Sequence, residues 1–261
     1  MKILGGWLAF ALVLMSASSA EAAAWPQKPG HTEIIVGVEP GAANRAFDAS
    51  GGVGAALPKW DQTDAFAYID RGVTARLSLT TKLNFKAYDT GDTHFSGLSS
   101  VEFGGRYALH DAEDYILSAG LSLEGLGRGR RNDFDDLFGR QGTDVDVRVY
   151  YGKPLRLAHM NAFLDLQAAR KLRQYNPDQW RVDATLGVKP SSHWMALLQA
   201  FAGRTDRQAG YETEWLNGEV SLARSFGQKQ QTVVQVGLRR TVAGRNVPQV
   251  TALTMSLWRR Y

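Results

Sequence analysis

The chain has no cysteine among its 261 residues, which excludes disulfides, thiolate metal sites and a lipid-anchored N-terminal cysteine. Beyond the N-terminus it also lacks any apolar run near the roughly 18 to 20 residues that a membrane helix requires. Histidine is scarce, at five. His31, His110, His159 and His193 fall near turns, with no metal-ligand spacing. Charge of one sign is nearly balanced by the other: Lys and Arg exceed Asp and Glu by four, and the signs are interleaved, so no basic face offers itself to nucleic acid. No segment carries a nucleotide or cofactor motif, so no cofactor and no metal are expected. Helix-period patterning is missing as well.

What the sequence does have is alternation. In RLSLTTKLNFKAYD, Leu77, Leu79, Leu83 and Phe85 share one face of an extended chain, while Arg76, Lys82, Asn84 and Lys86 share the other. A period of two defines a strand with one apolar and one wet face. The pattern recurs to the end of the chain. It marks strands at Thr32–Val38, Asp64–Asp70, Arg76–Tyr88, Leu98–Leu109, Tyr115–Glu124 and Thr143–Tyr151, then at Ala162–Leu172, Gln179–Lys189, Trp194–Gly203, Trp215–Phe226, Gln231–Val242 and Gln249–Tyr261. The connections alternate too. Long ones (Glu39–Asp61, Asp89–Gly97, Gly127–Gly142, Thr205–Glu214) interleave with tight ones, and Gly152–Asn161 reads as a longer exception.

The N-terminus has a basic start, Met1-Lys2, an apolar core, ILGGWLAFALVLM, and the small-residue stretch SASSAEAAA. Ala20-Glu21-Ala22 fits an A-x-A cleavage site and Ala22-Ala23-Ala24 a second register. Residues 1–22 therefore read as a cleaved signal peptide, with 24 as the other boundary, and 23–261 as one β domain. An exported chain of about twelve strands, many ten or more residues long, with long loops at one end, fits an up-and-down antiparallel transmembrane β-barrel of all-β class. Its apolar face would point to lipid. The last strand ends TALTMSLWRRY, and the terminal aromatic Tyr261 resembles the assembly signal of bacterial outer-membrane barrels.

YIDRGVTARLSL, Tyr68–Leu79, is similar to the Y-x-x-x-G-[VL]-T-x-R-L-x-L segment of a family of transporter-like barrels labelled "MetA-pathway of phenol degradation". GLSSVEFGGRY, Gly97–Tyr107, resembles that family's G-L-x-D-x-x-[LF]-G-x-[RK]-Y strand, with Ser100 where the family usually has Asp. YGKPL, FLDLQAARKLR and RVDATLGVKPSSHWMALLQAF resemble alphaproteobacterial relatives described as outer-membrane barrels. The resemblance implies location in the Gram-negative outer membrane and, more weakly, transport.

On this reading the wet face lines a lumen. The candidates are Arg76, Lys82, Lys86, Glu102, Arg106, Glu124, Asp146, Arg148, Asp165, Arg181, Asp183, Glu219 and Arg239, with Asp144 and Arg170 beside them. Rings of such charge select solutes in pores, but Arg–Glu and Lys–Asp networks also close small barrels. Mixed signs leave no anion or cation preference. Trp25, Trp60, Tyr115, Tyr151, Trp180, Trp194, Trp215, Trp258 and Tyr261 fall near strand ends, as interfacial girdles do. The loop GRGRRNDFDDLFGRQG pairs arginines with aspartates. It would offer phosphate or divalent-cation contacts, or simply self-neutralise on the surface.

His94-Phe95-Ser96 resembles the H-x-S spacing of outer-membrane phospholipase, although no orienting partner for His94 is legible. The expected function is a passive conduit or binder for a small solute. The alternatives are a non-conducting envelope-interaction barrel and, third, a lipid hydrolase. The expected partners are outer-membrane lipid and lipopolysaccharide, the barrel-assembly machinery and a small-molecule solute, for a monomeric chain.

Overall fold

The structure, a computed structural model, describes residues 24–57, 59–91, 94–125, 142–208 and 212–261. The expected signal peptide and nearly all of the mixed-charge loop, residues 126–141, lie outside the described residues. Fifteen strands are described. They are β1 (Thr32–Ala42), β2 (Arg45–Phe47), β3 (Val53–Ala56), β4 (Asp61–Gly72), β5 (Leu77–Asp89), β6 (His94–Asp111), β7 (Ile116–Gly125), β8 (Asp144–Leu157), β9 (Met160–Leu172), β10 (Gln179–Lys189), β11 (Trp194–Thr205), β12 (Glu214–Phe226), β13 (Thr232–Arg245), β14 (Val247–Pro248) and β15 (Thr251–Arg260).

Twelve of them form a closed antiparallel barrel in simple up-and-down order, with β1 joined to β4 on one side and to β15 on the other. Each expected strand corresponds to one barrel strand. Closure leaves no barrel strand with a free edge, so its backbone can satisfy its hydrogen bonds without water. Leu79, Phe85, Leu121, Leu123, Val147, Val149, Val220, Leu222, Leu238, Leu253 and Leu257 are all exposed. They come from the apolar faces of many strands, so the apolar surface surrounds the barrel. In water such a surface would be costly, at roughly 25 cal/mol per Å²; in a bilayer it is the solvated face.

The small connections lie at one end: 73–76, 112–115, 158–159, 190–193 and 227–231. Both termini of the barrel lie at this end as well, because the strand number is even. The link between β8 and β9 differs from its sequence reading. Strand β8 continues past Pro154 to Leu157, which pairs with Met160, so the turn is only Ala158-His159. Both turn residues have positive φ, 45° and 69°. That is the twist of a two-residue hairpin turn of the primed type.

At the opposite end the connection from β1 to β4 is not a bare loop. It folds into β2 and β3, which pair with each other, while β2 also pairs with β14 beyond β13. Three register shifts interrupt the barrel ladder, at Asn84/Phe85, Ala108/His110 and Leu216/Asn217. Each inserts a residue into one strand and re-aims the side chains beyond it.

Candidate functional site

The interior holds a cavity of about 810 Å³. Lys82, Lys86, Glu102, Arg106, Glu124, Asp146, Arg148, Asp165, Arg181, Asp183, Glu219 and Arg239 all border it. Alternation puts them there: in β5, Ser78, Thr80, Lys82, Asn84 and Lys86 keep one parity, opposite to exposed Leu79 and Phe85.

Arg76 does not join them. It has the right parity but precedes β5, and it lies exposed in the turn after β4. Arg170 also departs from its expected place. It sits in register between Val147 and Trp180, both exposed, stacks on the Trp180 ring at 4.9 Å, and pairs with Asp178 and Asp206. Asp144 is buried near the cavity's edge, paired with Lys171 at 3.5 Å and Arg173 at 3.2 Å.

Most interior charges are paired. Arg106 donates to Asp70 at 2.6 Å, and Lys86 lies 3.1 Å from Asp64. Arg148 is shared between Asp146 at 3.2 Å and Asp183 at 2.7 Å, and Arg239 between Glu39 at 2.6 Å and Glu219 at 2.7 Å. Arg260 reaches Glu33 at 2.6 Å, and Lys171 contacts Glu124. Lys82 faces Glu102 in register and sits 5.3 Å from the centre of the Phe66 ring. Glu33, Glu39, Asp64 and Asp70 were not among the sequence candidates. Applying the same parity to β1 and β4 finds them: Asp64, Phe66, Tyr68 and Asp70 form the inward set of β4.

The chain before β1 adds a feature that alternation cannot show. Gly30 N–H donates to Gly72 and Gly72 N–H to His31, which anchors the segment at the short-turn end. From there it rises into the barrel. Gln27 N–H donates to Ser78 Oγ at 2.7 Å, Arg106 Nη2 to the Trp25 carbonyl at 2.9 Å, and Ser118 Oγ to the Ala24 carbonyl at 2.7 Å. Ala24 N–H ends the series on Asp165 Oδ2, also at 2.7 Å. Trp25 packs against the buried cluster of Phe163, Met195, Leu197, Ala223 and Val233, and its ring covers Gly152 so closely that a Cβ there would meet it at 2.5 Å. Trp25, Trp215 and Trp258 accordingly border the cavity, in contrast to the girdle expected from their positions. Trp180, Trp194 and Tyr261 are exposed.

Tyr261 closes the seam of the barrel through its backbone, exchanging hydrogen bonds with Thr32. His94 and Ser96 lie on the opposite face of β6 from inward Phe95, away from the cavity. His94 does have a partner that the sequence did not reveal: its Nδ1 is 3.2 Å from Asp89 Oδ1. Among the described residues no hydrogen bond joins His94 to Ser96, so the pair lacks the contact that activates a serine.

The molecule thus belongs to a class defined by fold: closed antiparallel barrels with an apolar outside and a charged inside. Comparison with solved structures agrees. An outer membrane channel from Pseudomonas putida F1 superposes with a TM-score of 0.74 at 15% identity, covering 93% of this chain and 100% of that one. A KdgM porin in complex with disordered oligogalacturonate gives 0.53 at 9%, covering 87% of this chain and 98% of that one. LpxR from Salmonella typhimurium gives 0.52 at 6%, covering 87% and 99%. At these identities the likeness is one of fold. No protein-family model matches the chain, and no curated protein matches it. The outer-membrane barrel is therefore supported, but the particular family suggested by its strand motifs is not.

Proposed function

We propose that this chain is a monomeric, passive conduit for a small solute in the Gram-negative outer membrane. On this reading it is exported by a cleaved signal peptide, embedded in outer-membrane lipid and lipopolysaccharide, and inserted by the barrel-assembly machinery with Tyr261 in its recognition strand. The observation that carries the reading is the pairing of a lipid-compatible outer wall with an interior cavity of about 810 Å³ lined by charged side chains. Charge in such an enclosed space serves transit by weak, exchangeable contacts. The resemblance of two strand motifs to transporter-like barrels points the same way. Paired side chains and the inserted segment from Ala24 to His31 narrow the path, so the solute is small.

The test is to refold the mature chain in detergent, verify heat-modifiable gel migration and record single channels in a planar bilayer. Discrete, ion-selective steps are expected. A folded barrel that stays silent across many insertions would sink the conduit and favour a sealed, envelope-interacting barrel.

A further inference from the structure

Asp165 is 1% exposed, the most deeply buried carboxylate of the barrel interior. Its two oxygens accept hydrogen bonds from neutral donors: Oδ2 from Ala24 N–H at 2.7 Å and Oδ1 from Gln167 Nε2 at 2.8 Å. Among the described residues no Lys, Arg or His lies within ion-pair distance of it. The other deeply buried carboxylates differ: Glu33 has Arg260, Asp70 has Arg106 and Glu219 has Arg239. A carboxylate taken out of water without an opposite charge is strongly disfavoured. Its neighbour in space is the first described residue of the chain, Ala24, which is itself wholly buried.

We propose that Asp165 is the docking site of the mature N-terminus. Processing leaves Ala24 in the chain, and the α-ammonium freed beside it supplies the direct ion-pair partner that Asp165 lacks. The inference rests on the export reading and not on conduction. The sequence offers two cleavage registers, after Ala22 or after Ala24. Cutting after Ala24 would remove the N–H that Asp165 Oδ2 accepts and the carbonyl that Ser118 holds, costing each buried group that partner. Cutting after Ala22 keeps both partners and leaves Ala24 where the structure describes it. Gly152 supports the same placement, since any larger residue there would meet both the Trp25 ring and the Ala24 methyl group.

The experiment uses the protein purified from membranes after natural export. Its intact mass should correspond to a chain beginning at Ala23; a first residue of Ala24 also supports docking, and any other first residue overturns it. An uncleaved chain would in addition defeat the export reading, whatever the conductance shows. An amine-acylating reagent applied near neutral pH then reports on the α-amine, read by fragment-ion mass spectrometry of the tryptic peptide that ends at Arg45, since trypsin does not cut the Lys28–Pro29 bond.

In the folded barrel this acylation should be about tenfold slower than after heat unfolding, the protection given by an opening free energy of about 1.4 kcal/mol. Asp165→Asn should lose most of that protection while keeping heat-modifiable migration. Equal rates in the folded and unfolded wild-type chain overturn the proposal even where the variant fails to fold. Undiminished protection in a folded Asp165→Asn barrel overturns the role of Asp165.

Discussion

Arg106 is 3% exposed and serves two unlike partners through one nitrogen: Nη2 donates to the Asp70 carboxylate at 2.6 Å and to the Trp25 carbonyl at 2.9 Å. Its guanidinium also lies 5.6 Å from the centre of the Tyr150 ring. Truncation would leave Asp70 buried without a cation and Trp25 without its donor. Breaking a buried pair from one side costs about 3–5 kcal/mol, whereas replacing both partners with apolar residues is often nearly neutral. Arg106→Ala should therefore lower the stability of the detergent-folded barrel by about that amount, and Arg106→Met with Asp70→Leu should recover most of the loss. Denaturant midpoints read by heat-modifiable migration measure both. A single variant as stable as wild type would mean that Asp70 is not sealed from water and would refute the clasp. Alternation along β6 is enough to point Arg106 inward, but its role as a clasp on the N-terminal segment is not legible, because hydrogen bonds to that segment leave no periodic trace.

Among the elements, the twelve barrel strands were readable because each has one face in water and one in lipid, and that asymmetry survives in every strand as a period of two. Strand ends were less readable. Pro154 and Gly152 suggested a loop where β8 simply continues, since Pro interrupts only one ladder position and Gly152 is small to admit Trp25. The three-stranded sheet of β2, β3 and β14 was unreadable. Its strands have two to four residues, too few for a periodicity, and β14 joins from 200 positions downstream of Phe47.

The turn of that small sheet is held by Asp48. Its Oδ1 accepts from Ser50 N–H at 2.7 Å, Ser50 Oγ at 2.6 Å and Gly52 N–H at 3.0 Å. These bonds, the Ser50 hydroxyl first, favour the charged form and hold the Asp48 carboxyl below the usual carboxylate range. A folded-state pKa below the unfolded value means the turn gains stability above the ordinary Asp pKa of about 3.9 and loses it as pH falls through the lowered value. Amide exchange at Ser50 and Gly52 should thus be slow near neutrality and accelerate, relative to intrinsic rates, only in strong acid. Asp48→Asn should flatten that dependence. Protection that is the same on both sides of the carboxylate range would refute the role.

For the whole molecule, the arrangement of pairs matters more than the list of charges. The sequence candidates looked balanced in sign because Glu33, Glu39, Asp64 and Asp70 were not assigned to the interior. With them included, ten carboxylates and six cations border the cavity. Lys171 and Arg260, paired with Glu124 and Glu33, reduce the surplus, and an ammonium on Asp165 would reduce it again. What remains is one net negative charge, because Arg181, which forms no ion pair among the described residues, offsets one of two localised surpluses. One guanidinium, Arg148, serves both Asp146 and Asp183, and another, Arg239, serves both Glu39 and Glu219. Each trio carries one uncompensated negative charge inside low-dielectric walls, which focus the field along the lumen. The conduit should therefore favour cations over anions by a few-fold. The preference should be greatest at low ionic strength, because the screening length shortens from about 30 Å at 0.01 M to about 10 Å at 0.1 M. Reversal potentials under a potassium chloride gradient measure it directly. Asp183→Asn combined with Glu39→Gln removes both surplus charges while leaving Arg148 with Asp146 and Arg239 with Glu219, so the double variant should lose the preference and keep the fold. An anion preference in the wild-type channel would place the dominant field elsewhere, on Lys82 and Arg181, and would refute the assignment of selectivity to the two shared arginines.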